Sequence, residues 1–309
     1  MSSPFGTLAV IVDPTAGRGR VGDQLAVLQR SLASQGLDFT ISVASRAETV
    51  AGLAAQALDE GYRYLVAVGD DATVQGVVNG MFREGRPIAA EPVLGIVPAT
   101  TGCDLVKSFG LPGDTEGASQ HLGGDNTYPF DVFRIRATDA GGSIVERYAH
   151  NVVEVGLHAA ATSGAARLPR GFGNARRFLG FWRAYLGSGA RSVRLRTDAK
   201  TWEGCAWSVI LGNGQFADGG VRMSPRSFPG DGVIDALVFT GPRSDAYRML
   251  PRMFRHGDHI PDPNITELRA KISVTIEADR PMPVVADGEP LGRTPVSIQM
   301  VPQQILLKL

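Results

Sequence analysis

The chain has 309 residues, 43% of them hydrophobic and 20% charged, with a formal net charge of zero. That composition is globular and long enough for two domains of ordinary size, and its charge balance supplies no global field to draw nucleic acid. Two cysteines, Cys103 and Cys205, are too few for a disulfide framework or a zinc site; no apolar run reaches the roughly 18 residues of a membrane span, and no signal pattern opens the chain, so a cytoplasmic protein is expected.

Leu8 to Val12 is an apolar strand, followed by the turn Asp13-Pro14-Thr15-Ala16-Gly17-Arg18-Gly19-Arg20 and a helical pattern at Leu25, Leu28 and Leu32. Glycine permits close backbone approach, Thr15 offers a hydroxyl and the arginines offer charge, as a phosphate cradle needs; a plain strand-to-helix turn uses the same residues. Phe39 to Ala44 reads as a second strand. Leu65-Val66-Ala67-Val68 reads as a third, buried one. It breaks at Gly69-Asp70-Asp71-Ala72-Thr73, after which Val74, Val77 and Val78 recur at helical spacing. Strand, polar turn and helix aim backbone N–H groups at a phosphate. Val93 to Val97 is a fourth strand, ending in Pro98-Ala99-Thr100-Thr101-Gly102-Cys103-Asp104. Alternation of strands and helices implies a parallel α/β domain with helices on both faces, placed at residues 1–126. Its polar turns fall at the carboxyl ends of the strands, where such sheets bind ligands.

Residues 127–309 read as an antiparallel β-sandwich domain. Strand-like runs are Phe130–Arg136, Ile144–Asn151, Ser192–Thr197, Trp207–Leu211, Val233–Phe239, Lys271–Glu277, Val296–Met300 and Gln304–Leu309, with helical pieces at Ala175–Leu186 and Arg243–His256. The turn Ser227 to Asp235 carries Asp231, which with turn carbonyls suits Mg²⁺ or serves a hairpin. Ala286-Asp287-Gly288-Glu289 is a second acidic turn, fit to take a proton from a hydroxyl or simply to reverse the chain. Arg167 to Arg196 holds eight arginines and no acid, interleaved with Phe172, Phe178, Phe181, Trp182 and Tyr185. It suits an anionic membrane surface as well as a solvated arginine face over packed aromatics. The cleft between the domains is the default site.

In this order the motifs resemble the bacterial diacylglycerol kinase-like lipid kinases, relatives of sphingosine and ceramide kinases and, remotely, of NAD kinase. Asp13-Pro14-Thr15-Ala16-Gly17 resembles the family's Asn-Pro-x-x-Gly, and Gly69-Asp70-Asp71-Ala72-Thr73 stands at its Gly-Gly-Asp-Gly-Thr. Leu94 to Asp104 resembles the segment ending Gly-Thr-Gly-Asn-Asp. Asp231-Gly232-Val233-Ile234-Asp235 resembles Asp-Gly-x-x-Asp, His256-Gly257-Asp258-His259 the Gly-x-His loop, and Asp287-Gly288-Glu289 the late Asp-Gly-Glu. The resemblance implies ATP- and Mg²⁺-dependent phosphorylation of a lipid or lipid-like alcohol, and a homodimer. It implies Glu289 as catalytic base, with Asp71, Asp104 and Asp131 in an acidic network around magnesium. Asp231 and the carbonyls of Phe228 and Val233 would hold metal. Thr15, Gly17, Arg18, Ser45, Gly69, Asp71, Thr73, Thr101 and Gly102 would contact the nucleotide.

Departures point the other way. Asp70, Ala72 and Thr100 replace family glycines, Asp13 and Cys103 replace asparagines, and His158 follows Gly156 where the family has Asp. If Asp70 and Ala72 take over positive-φ glycine positions, each implies backbone strain of order 1 kcal/mol. An Asp70 carboxylate facing a triphosphate would repel it unless Arg18 or Arg20 intervenes. Two readings follow: a kinase with an altered nucleotide pocket, or a catalytically degenerate relative that binds a lipid or metabolite, regulates, or runs a different reaction in the cleft.

Overall fold

The computed structural model describes residues 3–16, 21–45, 48–99, 103–168, 175–242 and 244–309. The chain divides into two compact units, Met1–Asp131 with Pro302–Leu309, and Val132–Val301.

The first unit alternates strands and helices: β1 (Leu8–Val12), α1 (Val21–Ser34), β2 (Phe39–Val43), α2 (Val50–Asp59), β3 (Tyr64–Gly69), α3 (Asp71–Gly80), a small hairpin of β4 (Phe82–Arg83) and β5 (Arg86–Pro87), β6 (Val93–Pro98), α4 (Leu105–Ser108) and α5 (Thr115–Gln120). Apart from that antiparallel hairpin, the strands of its main sheet pair in parallel: β2 with β1, β1 with β3, β3 with β6, and β6 with the chain end at Leu306 and Leu307. Every residue of β1, β3 and β6 is buried, because helices cover both faces and a continuous apolar run suits that setting. Leu8, Val10, Val12, Tyr64, Val66 and Val68 share one face with Val21, Leu28 and Leu32 of α1 and Ala118 of α5. Helices α2 and α3 pack on β1 and β3 from the other side and against each other. They meet closely: a Cβ on Gly80 would lie 2.3 Å from the carbonyl oxygen of Ala51 and 2.6 Å from the Cβ of Ala54.

The second unit is antiparallel. Its strands and helices are β7 (Thr127–Thr138, entering from the first unit), β8 (Ile144–Ala149), β9 (Val152–Gly156), α6 (Leu157–Ala166), α7 (Ala175–Gly187), β10 (Arg191–Thr197), β11 (Thr201–Ala206), β12 (Ser208–Gly212), β13 (Phe216–Ala217), β14 (Val221–Arg222), β15 (Ile234–Phe239), α8 (Asp245–Arg255), β16 (Ile265–Ala270), β17 (Ser273–Ala278), β18 (Pro283–Ala286) and β19 (Glu289–Lys308). One layer runs β16-β15-β12-β9-β18-β19; the other joins β11, β10 and β17 to β19, with β7 and β8 beside it. Inward residues of both layers, among them Val153, Val209, Ala236 and Val284 facing Phe133, Leu195, Ile276 and Ile298, form one core, so the unit is a β-sandwich. The expected strand Ile144–Asn151 ends at Ala149, and β9 is a separate strand beyond it. Val296–Met300 and Gln304–Leu309, expected as two strands, belong to the single β19.

Outside the first layer lie α6, α7 and α8, covering Trp207, Ile210, Leu237 and Phe239. In α7 the aromatics have both fates that their spacing allowed. Phe181, Trp182 and Tyr185 stack among themselves and on Tyr247 of α8, while Phe178 and Leu186 are 63% and 76% exposed.

Gly80→Ala puts a methyl group into backbone that cannot yield. It should lower stability by roughly 1–3 kcal/mol, although alanine favours helix by about 1 kcal/mol over glycine. Urea unfolding of the two proteins reads this directly; equal or higher stability of the variant would mean that α2 and α3 are not packed so closely.

Candidate active site

In the first unit the parallel strands bring their carboxyl ends side by side: the N–H of Asp13 donates to Val68, that of Ala44 to Val12 and that of Ala99 to Gly69. The turns carrying Thr15, Ser45, Gly69, Asp71 and Thr73 therefore share one sheet edge. Gly17, Arg18, Thr101 and Gly102 lie outside the described residues. Thr15 turns inward on its own loop, its N–H and hydroxyl both donating to Oδ1 of Asp13 at 2.8 Å. Ser45 likewise accepts from the N–H of Glu48 at 3.1 Å.

The structure corrects the expectation of strain at Asp70 and Ala72. Asp70 has φ −112° and ψ −171°, ordinary extended backbone, and is the N-cap of α3. Its Oδ1 accepts from the N–H of Thr73 at 3.3 Å, while the Asp70 N–H reaches Thr73 Oγ1 at 3.4 Å. This reciprocal box satisfies helix-terminal N–H groups at a gain of about 1 kcal/mol. Ala72 lies inside α3. The carboxylate thus takes the position at the helix terminus that an anion would favour. Gly69 before it has no room for a side chain, since a Cβ would stand 2.0 Å from Thr73 Oγ1.

Asp71, the first residue of α3, reaches to the next loop. Its Oδ1 accepts from the N–H groups of Asp104 at 2.8 Å and Leu105 at 3.4 Å. Asp104 is buried, and its Oδ1 is 2.6 Å from Lys107 Nζ. Cys103, beside them, is buried; burial, and then the charge of Asp71, pushes its thiol up. Asp131 is fully buried and accepts from the N–H of Gln303 at 2.9 Å. Asp71, Asp104 and Asp131 each make further contacts. Among the described residues no three His, Cys, Asp or Glu side chains form a closed metal cage. Asp71 and Asp104 are joined through the Asp104 N–H, and Mg²⁺ commonly takes only one or two carboxylates beside waters and substrate phosphates.

In the second unit the β18–β19 hairpin turns at Asp287 and Gly288, with φ of 47° and 83°, the left-handed pair that an Asp-Gly hairpin favours. Asp287 is buried, and its carboxylate accepts from three consecutive backbone N–H groups: His150 at 2.8 Å, Asn151 at 3.0 Å and Val152 at 2.9 Å. His150 Nδ1 lies 2.9 Å from the same carboxylate. Burial pushes the Asp287 carboxyl up, but His150 and the amides outweigh it and hold the group below its usual range. Glu289 follows, exposed, as the first residue of β19. Asp231 is also exposed; its Oδ1 accepts from the N–H of Val233 at 2.9 Å, in a turn whose half-buried members include Phe228. The next acid, Asp235, is buried and bound to Ser227 and Arg269 at 2.9 Å, so it braces the sandwich.

One buried acid escaped the sequence reading. Glu154 stands in mid-β9, 1% exposed, its Oε2 accepting from the Thr162 hydroxyl at 2.9 Å. Burial, then the charge of Asp218, pushes its carboxyl well up. A lone acid inside Val152-Val153-Glu154-Val155 was the available signal. His158 and His259 are both buried and held down to about 4, chiefly by burial. His158 Nδ1 is 2.8 Å from Ser208 Oγ, and His259 Nε2 is 3.1 Å from the Met223 carbonyl. Both rings are neutral at neutral pH, so His158 cannot replace the acid that the resemblance expected there.

Glu154 and Asp287 have opposite linkage. Asp287, lowered in the folded state, adds stability that is present above the ordinary carboxylate range and lost as pH falls through its folded pKa. Glu154, raised, keeps its proton folded where the unfolded chain has lost it, so stability falls as pH rises from about 4. Glu154→Gln retains an acceptor for Thr162 and should be more stable than the parent at neutral pH. That gap should widen as pH rises from about 4, measured by urea unfolding across a pH series; a gap independent of pH would mean that Glu154 does not carry this proton.

Comparison with known proteins agrees with this arrangement. The family model for the diacylglycerol kinase catalytic domain matches residues 7–135, and that for the YegS C-terminal NAD kinase beta sandwich-like domain matches residues 151–308. The chain is 26% identical over 304 residues to a diacylglycerol kinase of Mycobacterium tuberculosis, covering 96% of this chain and 93% of that one. It is 23% identical over 292 residues to a diacylglycerol kinase of Bacillus subtilis, covering 93% and 90%. A diacylglycerol kinase crystal structure from Bacillus anthracis superposes with a TM-score of 0.72 at 20% identity, over 99% of this chain and 97% of that one. Yeast NADH kinase complexed with NADH follows the same fold more distantly, with a TM-score of 0.52 at 11% identity over 97% and 82%. With both family domains matched in order on an α/β unit and a β-sandwich, the chain belongs to the diacylglycerol kinase-like lipid kinase family.

Proposed function

We propose that this protein is an ATP- and Mg²⁺-dependent kinase that phosphorylates a hydroxyl of a lipid or lipid-like small molecule. The observation that carries this reading is the hairpin at Asp287: a buried carboxylate bound by three successive amides holds the turn rigid and sets an exposed glutamate, Glu289, directly beyond it. A base needs that kind of support, because small misplacements cost large factors in rate. Glu289 accepts the proton of the acceptor hydroxyl as its oxygen attacks phosphorus. Asp287 is a positioning residue. Asp71, Asp104 and Asp131 would hold magnesium through water, with Asp231 and the carbonyls of Phe228 and Val233 as a further oxygen set; magnesium neutralises phosphate charge when bound. Thr15, Ser45, Gly69 and Thr73, with Gly17, Arg18, Thr101 and Gly102, would contact the nucleotide. The names of the relatives support a lipid acceptor. The exposed Phe178, Leu179 and Leu186 of α7 support peripheral membrane contact by the segment from Arg167 to Arg196.

A second reading is favoured by Asp70 and Lys107. The N-terminus of α3 already carries its own carboxylate, and Asp104 is already paired with a lysine. Both suit a relative that has given up the nucleotide and kept the lipid. The two readings part in a transfer assay with ATP, Mg²⁺ and diacylglycerol in mixed micelles. The kinase reading expects phosphorylated lipid, and expects Glu289→Gln to lower turnover by about 10²–10⁴-fold with ATP affinity nearly unchanged. Unaltered turnover in that variant would remove Glu289 as the base, and no transfer to any lipid alcohol tested would favour the second reading.

A further inference from the structure

The β-sandwich unit holds a cavity of about 260 Å³ that shares no residue with the acids described above. It is walled by the loop leaving α7, by the start of β10, and by β18 with the facing part of β19. Two arginines line it, Arg191 and Arg293, and no acidic residue does. Neither arginine is paired with a carboxylate among the described residues. Arg191 is folded back over the loop: its Nη1 donates to the Ala190 carbonyl at 3.3 Å, and a Cβ on Gly189 would stand 3.3 Å from that same nitrogen. Arg293 faces Pro283 in the β18–β19 register. Ser188 adds a hydroxyl to the lining. Trp207 lines the cavity too, and its indole N–H is buried with no acceptor among the described residues. Met282 supplies an apolar wall.

Two guanidinium groups, a hydroxyl and further donors with no opposing acid are the chemistry of an anion site, and arginine forks match phosphate oxygens in pairs. The volume lies at or below the lower end for ligand pockets, about 300 Å³, which suits a head group and excludes an acyl chain. The lip of the cavity follows directly on Leu186, which is 76% exposed. An apolar contact beside an anion site is what a lipid needs when it presents its head to protein and leaves its chains outside.

We propose that this cavity is a second ligand site, taking a phosphate group either as free phosphate or as the monoester head group of an anionic lipid. This goes beyond the kinase reading, whose acceptor is an uncharged alcohol, and it stands whether or not the protein transfers phosphate.

The test is calorimetric titration of the full chain, without nucleotide, with three probes: inorganic phosphate, dihexanoyl phosphatidate below its aggregation threshold, and dihexanoylglycerol as the uncharged control. The same titrations are run on Arg293→Gln, an exposed position whose change leaves the core intact, and on the Arg191→Gln/Arg293→Gln double variant, with thermal unfolding confirming that each is folded. The expected result is binding of a phosphate-bearing probe and a loss of about tenfold or more in affinity in the double variant. Phosphatidate binding well above inorganic phosphate identifies a lipid head group, and equal affinities identify free phosphate. Dihexanoylglycerol binding weakened in the double variant as much as phosphatidate binding would overturn the proposal, as would affinity for the phosphate-bearing probe unchanged in the folded double variant, or no binding of either phosphate-bearing probe by the parent protein.

Discussion

Three consecutive backbone N–H groups, those of His150, Asn151 and Val152, converge on one buried carboxylate, Asp287. Their desolvation would be costly without an acceptor, and an ionised carboxylate is among the strongest acceptors available. The contact closes the gap between β8 and β9 and ties it to the turn of the β18–β19 hairpin. The β9–β18 register, Val155 opposite Val284 and Val153 opposite Ala286, continues from it. Glu289 is therefore held in place by a residue two positions earlier that performs no chemistry itself.

The first unit repeats this device. Asp71 gathers the N–H groups at the start of α4, Asp131 takes that of Gln303, and Asp70 caps α3. Acids that resemble a catalytic set are also the acceptors that hold the polar loops in shape. A carboxylate in this role is expected to be retained even where the chemistry drifts, so survival of the acids alone is weak evidence for catalysis. Glu289 and Asp231, by contrast, are exposed, although Asp231 also accepts from the Val233 N–H of its own turn.

Much of the architecture was legible. The runs Leu8–Val12, Tyr64–Gly69 and Val93–Pro98 are continuous and apolar because both their faces are covered, and short unbroken apolar runs bounded by polar turns mark strands of that kind. Strands β9 and β18 were not legible: each is short, and Glu154 breaks the apolar run of β9 with an acid that is buried against the Thr162 hydroxyl. At Asp70 the motif position was right and its consequence wrong. Comparison with a glycine suggested positive φ, whereas the local pattern Asp-x-x-Thr already described an N-cap. The aromatics of α7 were ambiguous because spacing shows which residues share a face but not which part of that face α8 covers. The arginine-lined cavity was invisible, since Arg191 and Arg293 are far apart in sequence and line one cavity only in the folded chain.

The central claim is that the family's chemistry survives in a site whose helix terminus is capped by its own carboxylate. Calorimetric titration of the purified protein with ATP, with and without Mg²⁺, tests it most directly. The claim predicts saturable, magnesium-dependent binding in the micromolar to sub-millimolar range. Absence of binding at millimolar ATP would contradict it and leave Asp70 as the group that closed the phosphate position.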